Sequence, residues 1–188
     1  MATISKANIF SKVETPPGLA LGLMGNEFEL EWRQTTVAAG ARIFIEVTSP
    51  PDRFTVVGYR ELKFDQTRGF YRIYTPGNYT VGVLGAALPV NNRRVGSGIA
   101  SGTTAFIATG VTADPANALT EIPLFGAEST GNRPGAGDLT GESSVRVIPP
   151  STPLLLEFEN SSPEACYWRS FFLQWEISPG AMPEATQV

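Results

Sequence analysis

The stretch from Asn91 to Gly110 (NNRRVGSGIASGTTAFIATG) holds the residue types of a phosphate-binding loop, because it joins spaced glycines to an arginine pair. The spacing Gly96-x-Gly98-x-x-x-Gly102 is neither G-x-G-x-x-G nor a loop that ends in Gly-Lys-Ser/Thr. Both motifs need a helix N-terminus directly after the glycines, where free N–H groups point at phosphate. The segment TTAFIATG that follows is rich in β-branched and aromatic residues and predicts a strand. We therefore interpret the stretch as an adaptable connection between strands.

Arg93 and Arg94 lie in this connection and have three interpretations. They could clamp a phosphate or a carboxylate. They could be solvated, or pair with one of the acidic strand faces, which is the interpretation we favour for an isolated monomer. They could also form ion pairs between subunits. On the last interpretation, charge reversal at both positions weakens assembly and leaves the monomer fold intact.

Other catalytic chemistry is restricted because the chain contains no histidine. This excludes a Ser-His-Asp triad, a Cys-His dyad and histidine-ligated zinc within the chain, whereas a carboxylate-only or Lys/Tyr-based enzyme remains open. The loop carboxylates Asp52, Glu121, Asp138 and Glu142 are predicted to be solvated surface charge. Cys166 is predicted to be a small buried side chain. We predict no catalytic residue, no cofactor and no metal.

The composition and net charge of the chain limit the classes of partner that it can bind. The chain has 188 residues and a formal net charge of −4, without the basic face that nucleic-acid or anionic-membrane binding requires. The single cysteine permits no internal disulfide, which fits folding in a reducing cytoplasm. The first 18 residues lack the apolar region of a signal peptide. We therefore expect neither nucleic acid nor a membrane as a partner.

Hydrophobic periodicity indicates strands. Five segments alternate with a period of two: residues 27–33, 42–47, 61–65, 154–159 and 171–177. The last segment sets Phe171, Leu173, Trp175 and Ile177 against Phe172, Gln174 and Glu176. Such alternation is typical of antiparallel sheets with one buried face. The predicted fold class is all-β, an antiparallel sandwich of jelly-roll type with almost no helix.

Turn-rich segments divide the chain. Residues 65–69 and 159–165 are interpreted as hairpin loops. The predicted domain organisation is an N-terminal arm at 1–25, a sandwich domain at 26–178 and a flexible C-terminal tail at 179–188. Two glycine-rich segments, 76–104 and 126–144, are predicted to be long loops outside the regular core.

Two longer stretches carry a family resemblance. They are TVAAGARIFIEVTSPPDRFTVVGYRELKFDQTRGFYRIY and RVIPPSTPLLLEFENSSPEACYWRSFFLQWEI. A V-x-A-G turn precedes an aliphatic strand, and the chain closes with a Pro-x-Thr-x-Leu-Leu strand, an Asn-containing turn and a strand with tryptophan near its end. The residues are Val37, Ala39, Gly40, Arg60, Pro150, Thr152, Leu154, Leu155, Asn160 and Trp175. This pattern resembles small all-β structural proteins of tailed bacteriophages, of the capsid decoration, cement or head-fibre kind.

The resemblance implies a non-enzymatic virion protein that is made in the host cytoplasm. It implies a homotrimer that bridges and stabilises major capsid proteins or other virion proteins. We expect its assembly interface to include six residues of the arm and of the glycine-rich connection, namely Ile4, Ile9, Phe10, Val13, Arg93 and Arg94. The alternative is a tail- or fibre-associated sandwich that binds host-surface glycan. An enzyme ranks last.

Overall fold

A computed structural model describes residues 26–65, 68–94, 96–124 and 146–181. The predicted arm 1–25 and the predicted loop 126–144 lie outside these residues, as does most of the predicted tail. The described residues form strands β1 (Glu27–Val37), β2 (Arg42–Thr48), β3 (Phe54–Phe64), β4 (Gly69–Tyr74), β5 (Tyr79–Thr80), β6 (Val83–Ala87), β7 (Val90–Asn92), β8 (Thr104–Thr109), β9 (Thr112–Ala113), β10 (Thr120–Leu124), β11 (Arg146–Ile148), β12 (Pro153–Asn160) and β13 (Cys166–Ile177). Two 3₁₀ turns, η1 (Pro115–Asn117) and η2 (Pro179–Ala181), complete them.

The strands form two antiparallel sheets that pack as a sandwich, which confirms the predicted all-β antiparallel sandwich; the jelly-roll type stays a prediction. Sheet A has the order β11-β3-β13-β1-β7, and sheet B has the order β10-β4-β12-β2-β8-β6. The short strands β5 and β9 pair with each other as a separate ribbon. Every paired strand among the described residues runs antiparallel to its neighbour.

The core between the sheets is apolar and aromatic. Phe28, Leu30 and Trp32 alternate along β1 and are buried. The rings of Phe158 on sheet B and Trp168 on sheet A stack with centroids 3.9 Å apart. Because burying one large apolar side chain contributes about 1.5–3 kcal/mol, these inward faces dominate the stability of the sandwich.

In β13 the buried face is the more polar of the two faces. Phe172, Gln174 and Glu176 lie inside, whereas Phe171 and Trp175 on the outer face are only partly buried. The Gln174 amide donates to Thr103 Oγ1 at 2.9 Å, so this buried polar group has a partner at the end of the core. Alternation located the two faces correctly, but apolar content alone does not identify the buried one.

The two predicted hairpins are wrong. β3 belongs to sheet A and β4 to sheet B, and β12 and β13 are likewise divided between the sheets. Residues 65–69 and 159–165 therefore connect strands across the sandwich. The physical reason is that each strand finds its hydrogen-bonding partners further away in the chain: β12 pairs with β2 and β4, and β13 pairs with β1 and β3.

The segment predicted as a long loop at 76–104 is more regular than expected, because it contains β5, β6 and β7. Part of it covers the outer face of sheet B. Tyr74 and Leu155 are fully buried there against partly buried residues such as Tyr79 and Val111. β12 is therefore covered on both faces, which explains why Leu155 is as buried as the core residue Phe158.

Candidate assembly surface

The strands β6 and β7 form one lateral side of the sandwich. β6 is the last strand of sheet B, β7 is the last strand of sheet A, and only Leu88 and Pro89 separate them in the chain. The connection that follows β7 leads to β8, the neighbour of β6. We call the surface formed by residues 83–94 and 96–103 the β6–β7 edge.

β6 is an exposed strand without charge. All five of its residues are exposed, with Val83 at 61% and Leu84 at 45%, and residues 75–92 include no charged side chain. Within the described residues β6 pairs with β8 alone, and its register shifts between Leu84 and Ala87. An uncharged edge strand offers unpaired N–H and C=O groups to another chain, a tendency that charges and prolines normally suppress.

The other edge of sheet B has such protection. β10 carries Glu121 and Pro123 within five residues. A charge opposes close approach of a second strand, and proline has no N–H to donate. The contrast between the two edges singles out β6 as the edge of sheet B that is suited to strand addition.

The connection after β7 is fixed at its start by Asn92. The Asn92 amide donates to Ile99 O at 2.9 Å and to Ser97 Oγ at 3.3 Å, and its Oδ1 accepts from the Arg94 N–H at 2.8 Å. Gly96 adopts a φ of +78°, in the left-handed region that glycine tolerates best. The Asn92 side chain thus stabilises a turn in the chain after β7.

Glu176 fixes the other end of this connection. Its side chain has no solvent exposure, and its oxygens accept from Ser101 Oγ at 2.5 Å and from the N–H groups of Gly102 and Thr103 at 3.0 Å. Arg53 Nη1 lies 2.8 Å from the same carboxylate and supplies the opposite charge. The predicted strand TTAFIATG then begins as β8, which confirms that a strand follows the glycines.

Arg93 is paired within the monomer, in agreement with the interpretation favoured for it. Its Nη1 lies 3.1 Å from Glu27 Oε1 and its Nε lies 3.7 Å from Glu29 Oε2, both on β1. With 45% of the side chain exposed, these contacts contribute little to stability. The Arg94 side chain is exposed. The other predicted interface residues, Ile4, Ile9, Phe10 and Val13, lie outside the described residues.

A second cluster of charges lies on the outer face of sheet B. Glu157 is completely buried and accepts from Arg42 Nε at 2.7 Å, from Arg72 Nη1 at 2.8 Å and from the Tyr74 hydroxyl. Arg72 also contacts Glu121 at 2.5 Å and Glu159 at 2.6 Å. Burial, followed by the hydrogen bond and charge of Glu157, raises the pKa of Tyr74. Each arginine joins neighbouring strands through its ion pairs. We call this cluster of Arg42, Arg72, Glu121, Glu157 and Glu159 the ionic lock.

The sequence did not predict this lock. Glu121 was interpreted as a solvated loop carboxylate, yet it lies on β10 and pairs with Arg72. Arg42, Arg72 and Glu157 are brought together by the pairing of β2 and β4 with β12, where Glu157 faces both Phe44 and Arg72. The sequence shows arginines and glutamates within predicted strands. It does not show which strands pair, so it does not show that these charges meet.

Cys166 and several aromatic side chains are buried. Cys166 is 2% exposed, as predicted, and burial together with the Asp65 charge raises the pKa of its thiol to about 12. The aromatic side chains Tyr71, Tyr74 and Trp168 are also buried, so they are not placed to stack on a sugar ring at the surface. A cavity of about 40 Å³ between the sheets is lined mainly by aliphatic residues such as Leu154.

Within residues 26–65, 68–94, 96–124 and 146–181, no group of acidic or cysteine side chains is placed to hold a metal ion. None of their helices has the length and hydropathy of a membrane span.

Comparisons with known proteins found no relative. No protein-family model matches the chain, and neither a curated protein nor a solved structure does. The resemblance to tailed-phage proteins therefore stays a prediction that rests on the residues given for it.

Proposed function

We propose that this chain is a non-enzymatic structural subunit that forms homo-oligomers and attaches to a larger protein shell. The observation that carries the proposal is the uncharged, exposed strand β6 at the β6–β7 edge. The resemblance described above suggests the setting, which is the virion of a tailed bacteriophage. There the subunit would be a trimeric decoration or cement protein that bridges major capsid proteins.

The support is energetic as well as topological. A strand with Val83 and Leu84 exposed to water gains from being covered, since apolar burial contributes about 25 cal/mol per Å². The connection behind it is held by Asn92 and by Glu176, so the edge is presented by a rigid scaffold. A preorganised surface binds more tightly because little conformational entropy is lost when a partner docks.

The charges are placed consistently with a structural role. The two fully buried glutamates, Glu157 and Glu176, each have an arginine and several hydrogen-bond donors as partners. Carboxylates used in this way hold loops and strands in place. On this proposal the purified protein turns over no substrate.

Sedimentation velocity of the wild-type chain, Leu84→Lys and Leu119→Lys tests the proposal. Leu119 is the matched control, because it is an exposed leucine (54%) that directly precedes β10 at the other edge of sheet B. We expect an oligomer for the wild type and for Leu119→Lys, and a shift toward monomer for Leu84→Lys. Particles that lack this protein should bind the wild-type chain and bind Leu84→Lys more weakly.

A wild-type chain that stays monomeric and does not bind such particles contradicts the proposal. Specific retention on host polysaccharide by that monomer would favour the glycan-binding alternative instead.

A further inference from the structure

The described part of the chain begins next to the β6–β7 edge. The first strand begins at Glu27, whose carbonyl accepts from the Arg93 N–H at 3.1 Å, and Phe28 pairs with Asn92 on β7. A 25-residue segment can extend up to about 85 Å, which is enough to reach the same edge on an adjacent copy. The chain therefore holds an exposed edge and an additional segment attached beside it.

The composition of this segment suits a strand that covers an apolar edge. It contains Ile4, Ile9, Phe10 and Val13, which are residue types favoured in strands. Residues 1–13 contain no acidic residue, so no carboxylate would be buried against Val83 and Leu84.

We propose, building on the assembly function proposed above, that residues 3–13 of a second copy add as a strand to β6. Their backbone would pair with the side of β6 that no described strand occupies. Their apolar side chains would cover Val83 and Leu84. This is strand addition to a sheet edge, in which backbone hydrogen bonds provide affinity and side chains provide specificity.

Two considerations favour this occupant over the β6 strand of a second copy. The register shift between Leu84 and Ala87 makes β6 irregular, and two irregular strands match each other poorly. Pairing of β6 with β6 is also isologous and yields a two-fold dimer. Donation of a segment from each copy to the next is heterologous, and a heterologous contact whose rotation closes forms a ring, as a trimer requires.

Cross-linking between two separately labelled chains tests the proposal. One chain carries Ile9→Cys and the other carries Leu84→Cys, and the two are mixed and treated with a short bismaleimide. The native Cys166 is buried and does not compete. We expect a covalent 9–84 dimer at a yield at least about tenfold above that of the matched pair Ile9→Cys with Leu119→Cys.

A full-length variant provides the second measurement. Ile9→Asp combined with Phe10→Asp should weaken self-association about tenfold or more, since both anchors are removed. Ser11→Asp, which adds a charge but removes no apolar group, should weaken it far less. Circular dichroism of each variant should report an unchanged sandwich.

Three outcomes overturn the proposal. In the first, the 9–84 yield equals that of the 9–119 control and the double aspartate variant still assembles. In the second, cross-linking occurs only when both cysteines are on the same chain, so that the segment covers its own edge. In the third, Leu84→Lys breaks the oligomer and the double aspartate variant does not, which assigns β6 to another partner and leaves the proposed function intact. Failure of the proposed function is distinguished by a wild-type chain that does not associate at all.

Discussion

At the scale of single residues, the two fully buried glutamates organise much of the structure. Glu157 links β12 to β2 and β4 through Arg42 and Arg72, and Glu176 holds Ser101–Thr103. A buried charge is costly unless it is paired and hydrogen-bonded. Both glutamates meet that condition, so removing the charge from either one weakens the ion pairs and hydrogen bonds that it makes.

Glu157→Gln should lower the free energy of unfolding by about 2–3 kcal/mol, because hydrogen bonds to a buried charge are lost. The control is Glu121→Gln, which also contacts Arg72 but whose side chain is 45% exposed. That change should cost no more than about 1 kcal/mol. Urea denaturation measures both values, and equal effects would show that burial of Glu157 does not strengthen the lock.

Glu159 makes the protein sensitive to acid. Burial alone would raise the pKa of Glu159, but hydrogen bonds from Ser161 and Arg72 and the charges of Arg72 and Arg42 outweigh it and lower the pKa below 4.5. The unfolded state therefore binds a proton at a higher pH than the folded state does. The stabilisation is fully present well above pH 4.5 and is lost as the pH falls through the folded pKa.

Glu159→Gln should consequently be less stable than the wild type at neutral pH and nearly as stable in strong acid. The difference between their unfolding free energies should narrow as the pH falls below 4.5. Urea titrations over a pH series measure it. A constant difference across the series would mean that Glu159 is not ionised differently in the two states.

At the scale of elements, alternation predicted where strands run and which residues share a face. It did not predict partners, because a strand before an arch between two sheets has the same period as a strand before a hairpin. Residues 159–165 looked like a hairpin loop, yet they connect sheet B to sheet A. Glu176 was assigned correctly to one face, but its burial depends on Arg53 and on residues 101–103, which only the fold brings to it.

The candidate surface was predictable in part. The arginine pair and the spaced glycines mark residues 91–110 in the sequence. One interpretation of Arg93 is pairing with an acidic strand face, which the structure shows. The exposed strand β6 was missed, since Val83–Ala87 reads as a small-residue loop and its edge position depends on pairing with β8, which follows it by 17 residues. Exposure at an edge is a property of the sheet and not of the segment.

Gly69 shows how closely the elements approach. A Cβ at this first residue of β4 would lie 2.9 Å from Glu159 O and 3.2 Å from the Phe64 ring. Gly69→Ala should therefore lower the unfolding free energy by about 1–3 kcal/mol, because backbone must shift. Gly98→Ala is the control: its Cβ would meet no atom within 4 Å. Thermal unfolding compares them, and equal midpoints would contradict close packing of β4 on β12.

At the scale of the whole molecule, the two lateral sides of the sandwich differ. One side is formed by β10 and β11 and the other by β6 and β7, since these strands end the two sheets. β10 carries a glutamate and a proline, which oppose the addition of a second strand, whereas β6 is uncharged. Among the described residues, one side is thus protected and the other is open, an arrangement suited to directional assembly in which each copy presents a single surface to the next.

Arg94 lies on this open side and provides the sharpest electrostatic test of assembly. Arg94→Glu should weaken self-association about fivefold, the effect of one rim charge worth about 1 kcal/mol, and Arg94→Lys should leave it unchanged. Arg93→Glu is a poorer test of assembly, although the sequence predicts that charge reversal at both arginines leaves the monomer fold intact. It places a third carboxylate beside Glu27 and Glu29 and should destabilise the monomer as well.

Sedimentation equilibrium measures the association constants of these variants, and thermal unfolding at low protein concentration separates monomer stability from assembly. Self-association of Arg94→Glu equal to that of the wild type would remove Arg94 from the interface. If Arg93→Glu kept full monomer stability, the ion pairs with β1 would be too weak to orient that side chain, and both arginines would again be candidates for contacts between subunits.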